Sequence, residues 1–387
     1  MFEPKKPSFF FFFFLLNFLI SVQSLTLSSD IEALKAFKAS IRPSSIQSYS
    51  CIGSWNFTAA DPCVNPRVTY FTCGVVCNGD RITHITLDPA NYIGTLTPFI
   101  SKLTQLVSLD LSTNQFYGPI PPLSSLTNLQ NLVLRSNSFS GSLPPSLTTL
   151  KSLETIDLSH NSLSGSLPGS MNSLTSLRRL DLSFNKFAGS LPKLPPNLIE
   201  LAVKANFLSG SLYKSSFEGL MELEVVELSE NRFTGTLEPW FFLLPALQQA
   251  DLANNSFTRV EIWKPPPTTD LNSDLVAVDL GFNKIEGQLP VNFAAYPLLS
   301  SLSFRYNRLR GPIPGEYSKK ETLKRLYLDG NFLNGWPPAG FFNGKSPVSG
   351  SLGDNCLRSC PMSSQLCLKS QKPTSICQQA YGGKPRS

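Results

Sequence analysis

LVSLDLSTNQFYG, from Leu106 to Gly118, reads L-x-x-L-x-L-x-x-N-x-F-x-G and returns along the chain. Close copies are LETIDLSHNSLSG (Leu153 to Gly165), LRRLDLSFNKFAG (Leu177 to Gly189) and LSSLSFRYNRLRG (Leu299 to Gly311). The asparagines set the frame: Asn114, Asn137, Asn161, Asn185, Asn206, Asn231, Asn255, Asn283, Asn307 and Asn331. An eleventh unit at the N-terminal end puts Ala90 in that slot. Leu109 and Leu111 alternate with Ser108, Asp110 and Ser112, a period of two that predicts a short strand with one buried face. Each Asn ends its strand at a turn, where its amide can bond backbone groups of its own and adjacent coils. One coil cannot bury its leucines alone, so a period of this kind implies stacked coils sharing one core. The expected fold is a curved solenoid with a parallel sheet on its concave face. A second buried column lies two residues past each Asn, beginning at Phe116, Phe139, Leu163 and Phe187.

After the Asn the unit continues as GPIP (Gly118 to Pro121, Gly311 to Pro314), GSLP (Gly141, Gly165, Gly189) or GQLP (Gly287). This tail resembles the plant-specific leucine-rich repeat, and the resemblance covers roughly residues 28–340. It implies a leucine-rich repeat solenoid of about eleven plant-type repeats with disulfide caps at both ends. The expected division is a signal peptide over 1–24, an N-terminal cysteine cap over 25–80, repeats over 81–340, and a C-terminal cysteine-containing cap and tail over 341–387.

The first 24 residues carry Lys5 and Lys6, then an apolar run from Phe9 to Ile20, then Val22-Gln23-Ser24. That is the pattern of a cleaved secretory signal; the run is shorter than the roughly 20 residues of a membrane span. A net charge of +6 over 387 residues is mild and gives no reason to expect a nucleic-acid partner. Ser29-Asp30-Ile31-Glu32 predicts a helix opened by a capping box, with Ile31, Leu34, Phe37 and Ile41 at helical spacing. This segment, with Ser54-Trp55, Asp61 to Cys63 and Cys73 to Cys77, resembles the N-terminal cap of plant repeat ectodomains. It departs from the common form in carrying Cys51 and Cys73 beyond the usual pair.

The eight cysteines divide into Cys51, Cys63, Cys73 and Cys77 at one end and Cys356, Cys360, Cys367 and Cys377 at the other. A metal site competes with disulfides at such short spacings, but a secretory signal favours disulfides, each closed within its own cluster. Each set of four allows three pairings. Asn56 and Asn254 head glycosylation sequons.

Two steps break the period. The 21-residue step ending at Asn206 contains Lys193 to Asn197, KLPPN, a shortened outer turn. The 28-residue step ending at Asn283 contains Trp263 to Asp274, WKPPPTTDLNSD, a bulge off the convex side or flank. The pattern is read as stopping after Asn331, with Phe341 and Phe342 covering the last coil. The C-terminal KPRS has no apolar tail, and no kinase motif is read, so the chain is not expected to span a membrane.

An enzyme is not expected. His84 and His160, both read on inner-face strands, lie three coils apart, about 14 Å at about 4.8 Å per strand. Asp157 and Asp181, like Asp251 and Asp279, stand close enough to suggest a glycosidase pair, but Asp110 and Glu227 fill the same column, so the carboxylate is a repeat feature. No catalytic residue, metal or cofactor is expected.

What the scaffold does not dictate is the exposed chemistry of the inner face. Most of it is small and polar: Ser112, Ser159, Ser183, Ser229, Ala253. Near the C-terminal end Phe282, Arg305, Tyr306, Lys324, Arg325 and Tyr327 fall on three consecutive strands, and Arg and Tyr are enriched at binding hot spots. Arg305 and Arg325 are expected to grip a carboxylate or sulfate. A smaller patch, His160, Arg178, Arg179, Phe184 and Lys204, lies mid-array. The resemblance implies a secreted recognition module that binds a peptide, a cell-wall fragment or a receptor ectodomain, and acts with a plasma-membrane receptor kinase. Two other readings are an inhibitor of a pathogen cell-wall-degrading enzyme, similar to polygalacturonase inhibitors, and a cell-wall structural adaptor.

Overall fold

A computed structural model describes residues 25–58, 61–63, 74–265, 273–343 and 348–382. The signal-peptide reading over 1–24 and Cys73 therefore lie outside the described residues.

Thirteen strands form one sheet along the concave side. They are β1 (Gly74–Asn78), β2 (Arg81–Thr86), β3 (Ser108–Asp110), β4 (Asn131–Val133), β5 (Thr155–Asp157), β6 (Arg179–Asp181) and β7 (Glu200–Ala202). Then come β8 (Val225–Glu227), β9 (Gln249–Asp251), β10 (Ala277–Asp279), β11 (Ser301–Ser303), β12 (Arg325–Tyr327) and β13 (Ser349–Ser351). β1 is antiparallel to β2, and β2 onward is parallel and in register. Every repeat leucine of these strands faces a single continuous core.

The asparagine ladder satisfies the turns. Asn137 Oδ1 accepts the N–H of Phe116 at 2.9 Å, while Nδ2 donates to Leu134 of its own coil at 3.1 Å and Leu111 of the preceding coil at 2.9 Å. The same arrangement recurs through Asn231 and Asn307. Rings in the second buried column stack: Phe116 on Phe139 at 6.3 Å and Phe233 on Phe257 at 6.4 Å between centroids. Tyr92 occupies this column in the first coil, fully buried.

Helix α1 (Ser28–Ala39) plugs the N-terminal end. Its Phe37 stacks on Phe116 at 5.8 Å, continuing the ring column into the cap. The capping box expected at Ser29 to Glu32 is not formed. The helix begins two residues earlier, at Ser28 with Leu27 in the cap position, and Asp30 turns inward, where it accepts from Arg81 Nε at 3.1 Å and from the Ile82 N–H at 3.0 Å. The carboxylate ties the cap to β2 instead of capping its own helix.

Cys63–Cys77 closes in the N-terminal cap, and Cys356–Cys377 and Cys360–Cys367 close in the C-terminal one. Cys51 is also disulfide-bonded, to a partner outside the described residues.

The array runs one coil past the expected end at residue 340. β13 pairs with β12, and Asn355 takes the ladder position, accepting from Leu333 N–H at 3.0 Å and donating to Leu328 at 2.9 Å. Leu366 and Cys367 then cover that coil, with the Leu352 N–H donating to the Leu366 carbonyl at 2.7 Å. Phe341, expected over the last coil, lies in the 3-10 turn Ala339–Phe342 before it.

A second, flanking sheet follows the asparagines. It is broken between Ser256–Val260 and Glu286–Gly287, on either side of the Pro-rich insertion. No helix among the described residues is long and apolar enough to cross a membrane.

Candidate functional site

The residue before each ladder Asn adopts a left-handed backbone. His160, Phe184, Phe282 and Tyr306 all sit there, with φ between 51° and 55°. They are therefore one turn past the strands on which sequence reading places them. Their side chains are exposed, and those of consecutive coils stack. His160 lies on Phe184 at 4.2 Å, and Phe282 on Tyr306 at 4.8 Å, between centroids. Bulky rings are rare at positive φ, and such outliers point to function. The scaffold demands the φ; it does not demand the aromatics.

The C-terminal cluster is denser than the sequence suggests. Asp329, wholly buried at 0% exposure, receives Arg305 Nη2 at 3.1 Å and Lys369 Nζ at 2.9 Å. Lys369 comes from the C-terminal cap, and its ammonium also reaches Tyr306 Oη at 3.3 Å. The hydrogen bond that Lys369 donates to the Asp329 carboxylate holds the Lys369 pKa above the usual lysine value. The Arg305 guanidinium carbon lies 5.8 Å from the Phe282 ring centre, 5.8 Å from that of Tyr306 and 5.2 Å from that of Tyr327. Gly330 makes room: a Cβ there would stand 2.5 Å from Cδ1 of Tyr306, and its φ of +78° suits glycine.

Of the six predicted residues, the structure brings together Phe282, Arg305, Tyr306 and Tyr327. Arg305 is not free of the fold, as the sequence reading expects; it is committed to Asp329. Arg325 is exposed on β12, with no ion pair among the described residues. Lys324 turns to the loop, its Nζ donating to the Glu321 carbonyl at 3.1 Å. In the mid-array patch the cations are occupied. Arg178 pairs with Glu222 at 3.3 Å, Arg179 with Glu200 at 3.8 Å and Lys204 with Glu230 at 3.4 Å. Only the His160–Phe184 stack is left as a distinct feature there. Asp329 and Lys369 are the members sequence reading missed.

Between the two ends of this face runs a shallow hollow of about 250 Å³ over β8 to β12. One column along it reads Glu227, Asp251, Asp279, Ser303, Tyr327, one residue per strand in register. The neighbouring column carries Arg325 at one end and small residues, Ser301 and Ala277, beside it. The aspartates of the repeat have a backbone task. Asp110, Asp157, Asp181, Asp251 and Asp279 each accept the N–H two residues ahead, at 2.8–3.2 Å. Glu227 makes no such bond. Burial first, then the negative charges of Asp251, Asp181 and Glu200, push its carboxyl above the ordinary value. Among the described residues no group of His, Cys, Asp and Glu side chains is arranged to hold a metal ion.

The leucine rich repeat family pattern matches residues 127–187. The structure superposes on a plant peptide hormone receptor, RGFR1 in complex with RGF2, with a TM-score of 0.64 and 28% identity, over 71% of this chain and 43% of the receptor. It superposes on a TDR receptor with a TM-score of 0.63 and 31% identity, over 72% of this chain and 47% of that one. The fold is a plant-type leucine-rich-repeat solenoid. A curated relative of this leucine-rich-repeat chain is Receptor-like protein 7 of Arabidopsis thaliana, 33% identical over 122 residues, 30% of this chain and 11% of the relative. The chain thus spans less than half of each solved receptor chain and about a tenth of the curated relative.

Proposed function

We propose that the protein is an extracellular recognition module that binds a peptide, or an extended segment of another protein, on its concave face over the last coils. It acts with a membrane receptor kinase, reaches the cell exterior through its N-terminal signal, and carries glycans at Asn56 and Asn254, both exposed. The disulfides of both caps fit an oxidising compartment. The likeness to ectodomains of plant receptors, one of them solved with its peptide hormone, supports a ligand-binding role.

The observation that carries the reading is that Arg325 and Tyr327 line the end of one hollow, and that Tyr327 is grouped with the exposed rings of Phe282 and Tyr306 around Arg305. Flat aromatic side chains give contact area at low entropy cost, and a free guanidinium can take a carboxylate or sulfate in bidentate fashion. Arg305 serves by holding Tyr306 and Tyr327 in place. The variant that tests the site without disturbing the fold is therefore Arg325→Ala/Tyr327→Ala. Thermal stability is expected to change little, while affinity for the bound partner falls by about 2 kcal/mol or more, as at a hot spot. Unchanged affinity, alongside a loss on replacing His160 and Phe184, would move the site to the middle of the array.

A further inference from the structure

Two ring pairs occupy the column of left-handed turns, and their surroundings differ. Phe282 and Tyr306 lie 4.8 Å apart between centroids with 14° between their planes. That separation matches the interval between adjacent strands, so the rings stack along the solenoid axis. Each ring turns one face to its partner and the other to the coil beyond. The far face of Tyr306 is closed. Gly330 lies against it, where a Cβ would come within 2.5 Å of Cδ1, and Lys369 Nζ stands 5.5 Å from the ring centre. The far face of Phe282 is turned to the coil of β9, and Phe282 is 44% exposed.

The residue holding the column in that coil is Asn254, with a φ of 52°. Its N–H donates to the Gly281 carbonyl at 2.9 Å, as the Phe282 N–H does to that of Arg305 at 2.8 Å. Asn254 therefore stands to Phe282 as Phe282 stands to Tyr306. It heads the sequon Asn254-Asn255-Ser256. Asn255 is buried in the ladder, its Nδ2 donating to the carbonyls of Leu228, Leu252 and Ala253 at 3.0–3.2 Å. Asn254 is exposed, and its side-chain amide makes no hydrogen bond among the described residues. Asparagine suits a left-handed backbone. The slot does not require it, since Thr113, Ala205 and Glu230 take the same conformation with φ of 53–57°. The His160–Phe184 pair, flanked by Ser136 and Ala205, has no such neighbour.

We infer that Phe282 is the platform for the glycan of Asn254, with the first N-acetylglucosamine stacked on the open face of the ring. The inference rests on the proposed glycosylation of Asn254 and assigns the surface that holds the sugar. A sugar joined to Nδ2 is carried about as far from the backbone as a phenyl ring, which places it over Phe282 in the next coil. In the β-linked sugar every ring substituent is equatorial, so each pyranose face presents axial C–H bonds. Those weakly positive hydrogens meet the negative face of the aromatic ring, and the contact removes exposed apolar surface from water. The stacked sugar borders the hollow on the side of the turns and takes the outer face of Phe282. Arg325 and Tyr327, on β12, stay open to a ligand.

The test uses the full chain secreted from a host that makes high-mannose glycans fed with isotope-labelled sugar, trimmed enzymatically to the first N-acetylglucosamine and read by two-dimensional NMR. Asn254→Gln identifies the signals of the sugar at that site, and the sugar at Asn56 serves as the internal reference. In the wild type the C–H signals of the Asn254 sugar are expected upfield of their values in a free glycopeptide, displaced by the ring current. Phe282→Ala should return them to the free values, and Ala205 shows that the slot accepts alanine. Phe282→Tyr should keep the displacement. Signals at free values in the wild type, or a displacement that survives Phe282→Ala, overturn this inference and leave the glycosylation standing. If the mass of the secreted chain shows Asn254 bare, the glycosylation reading falls and this inference with it.

Discussion

Asp329→Ala is expected to destabilise the protein by about 2–4 kcal/mol, seen as a lower thermal midpoint and faster hydrogen exchange across Ser349–Ser351 and the C-terminal cap. Asp329 is completely buried and anchors two cations, Arg305 and Lys369. Removing one member of a buried ionic cluster leaves the others uncompensated, which typically costs 3–5 kcal/mol. Arg305 and Lys369 keep partial access to water, at 31% and 50% side-chain exposure, so the expected value sits lower. The loss should also reach the proposed site, because Arg305 stands among the rings of Phe282, Tyr306 and Tyr327. The compensated variant Arg305→Met/Asp329→Leu should recover much of the stability, since it removes the charge together with its less exposed partner and leaves only the half-exposed Lys369, which water can solvate. The sign with pH follows from Lys369. Its pKa is raised in the folded protein, so its contribution is complete below the ordinary lysine value and disappears only as pH rises through the raised one. Stability of Asp329→Ala within 0.5 kcal/mol of wild type would show that the cluster does not hold the cap.

Asn231→Ala is expected to cost a comparable amount, about 2–4 kcal/mol. Its side chain accepts the Leu208 N–H at 3.0 Å and donates to carbonyls of Val203 at 2.9 Å, Leu228 at 3.2 Å and Ser229 at 3.1 Å. Alanine leaves that buried N–H with no acceptor in place of Oδ1, and an unmade buried bond costs about 1–3 kcal/mol. In a one-dimensional array coupling runs only between neighbouring coils, so the damage lands on one interface. Chemical denaturation should accordingly broaden or split into two steps. Asn128→Ala serves as the control. Its amide is exposed and bonds Gln105 at 3.0 Å, so stability should move by less than about 0.5 kcal/mol. Equal effects at the two positions would sink the ladder as the source of inter-coil stability.

The periodic part of the chain was legible because periodicity encodes local physics. Apolar residues recur at the positions of Leu109 and Leu111, with an Asn at that of Asn114 in all but the first coil, and each side chain's fate follows from its place in the unit. The terminal coil was harder. Gly350 stands where the other coils place Leu, Ile, Val or Ala, so the string is broken although Leu352, Asn355 and Leu357 keep the spacing. Those three residues were the available signal. The capping box at Ser29 failed for a different reason. Asp30 is claimed by Arg81 and by the Ile82 N–H, 51 and 52 residues away, and a tertiary partner outweighed the local one.

The site was legible as composition and not as connection. Phe282, Tyr306 and Tyr327 stand out against a small polar face, and they do converge. That Arg305 is spent on Asp329 could not be read, since Asp329 occupies a slot that varies among Ser, Ala, Gly, Lys and Arg in the neighbouring coils and so carries no fixed partner. Its second partner, Lys369, lies 40 residues further on, beyond the repeats. The acidic column was read as a feature of the repeat, which holds for its aspartates; Glu227 differs because its longer side chain takes no part in the turn bond.

The claim that a peptide lies across β8 to β12 is tested most directly by hydrogen–deuterium exchange of the wild-type protein with and without a peptide enriched on it from a synthetic octapeptide library. Slowed exchange confined to Val225–Glu227, Gln249–Asp251, Ala277–Asp279, Ser301–Ser303 and Arg325–Tyr327, with the turns at Phe282 and Tyr306, is the predicted result. Protection centred on Ser108–Asp110 to Arg179–Asp181, or on the convex turns, would contradict it.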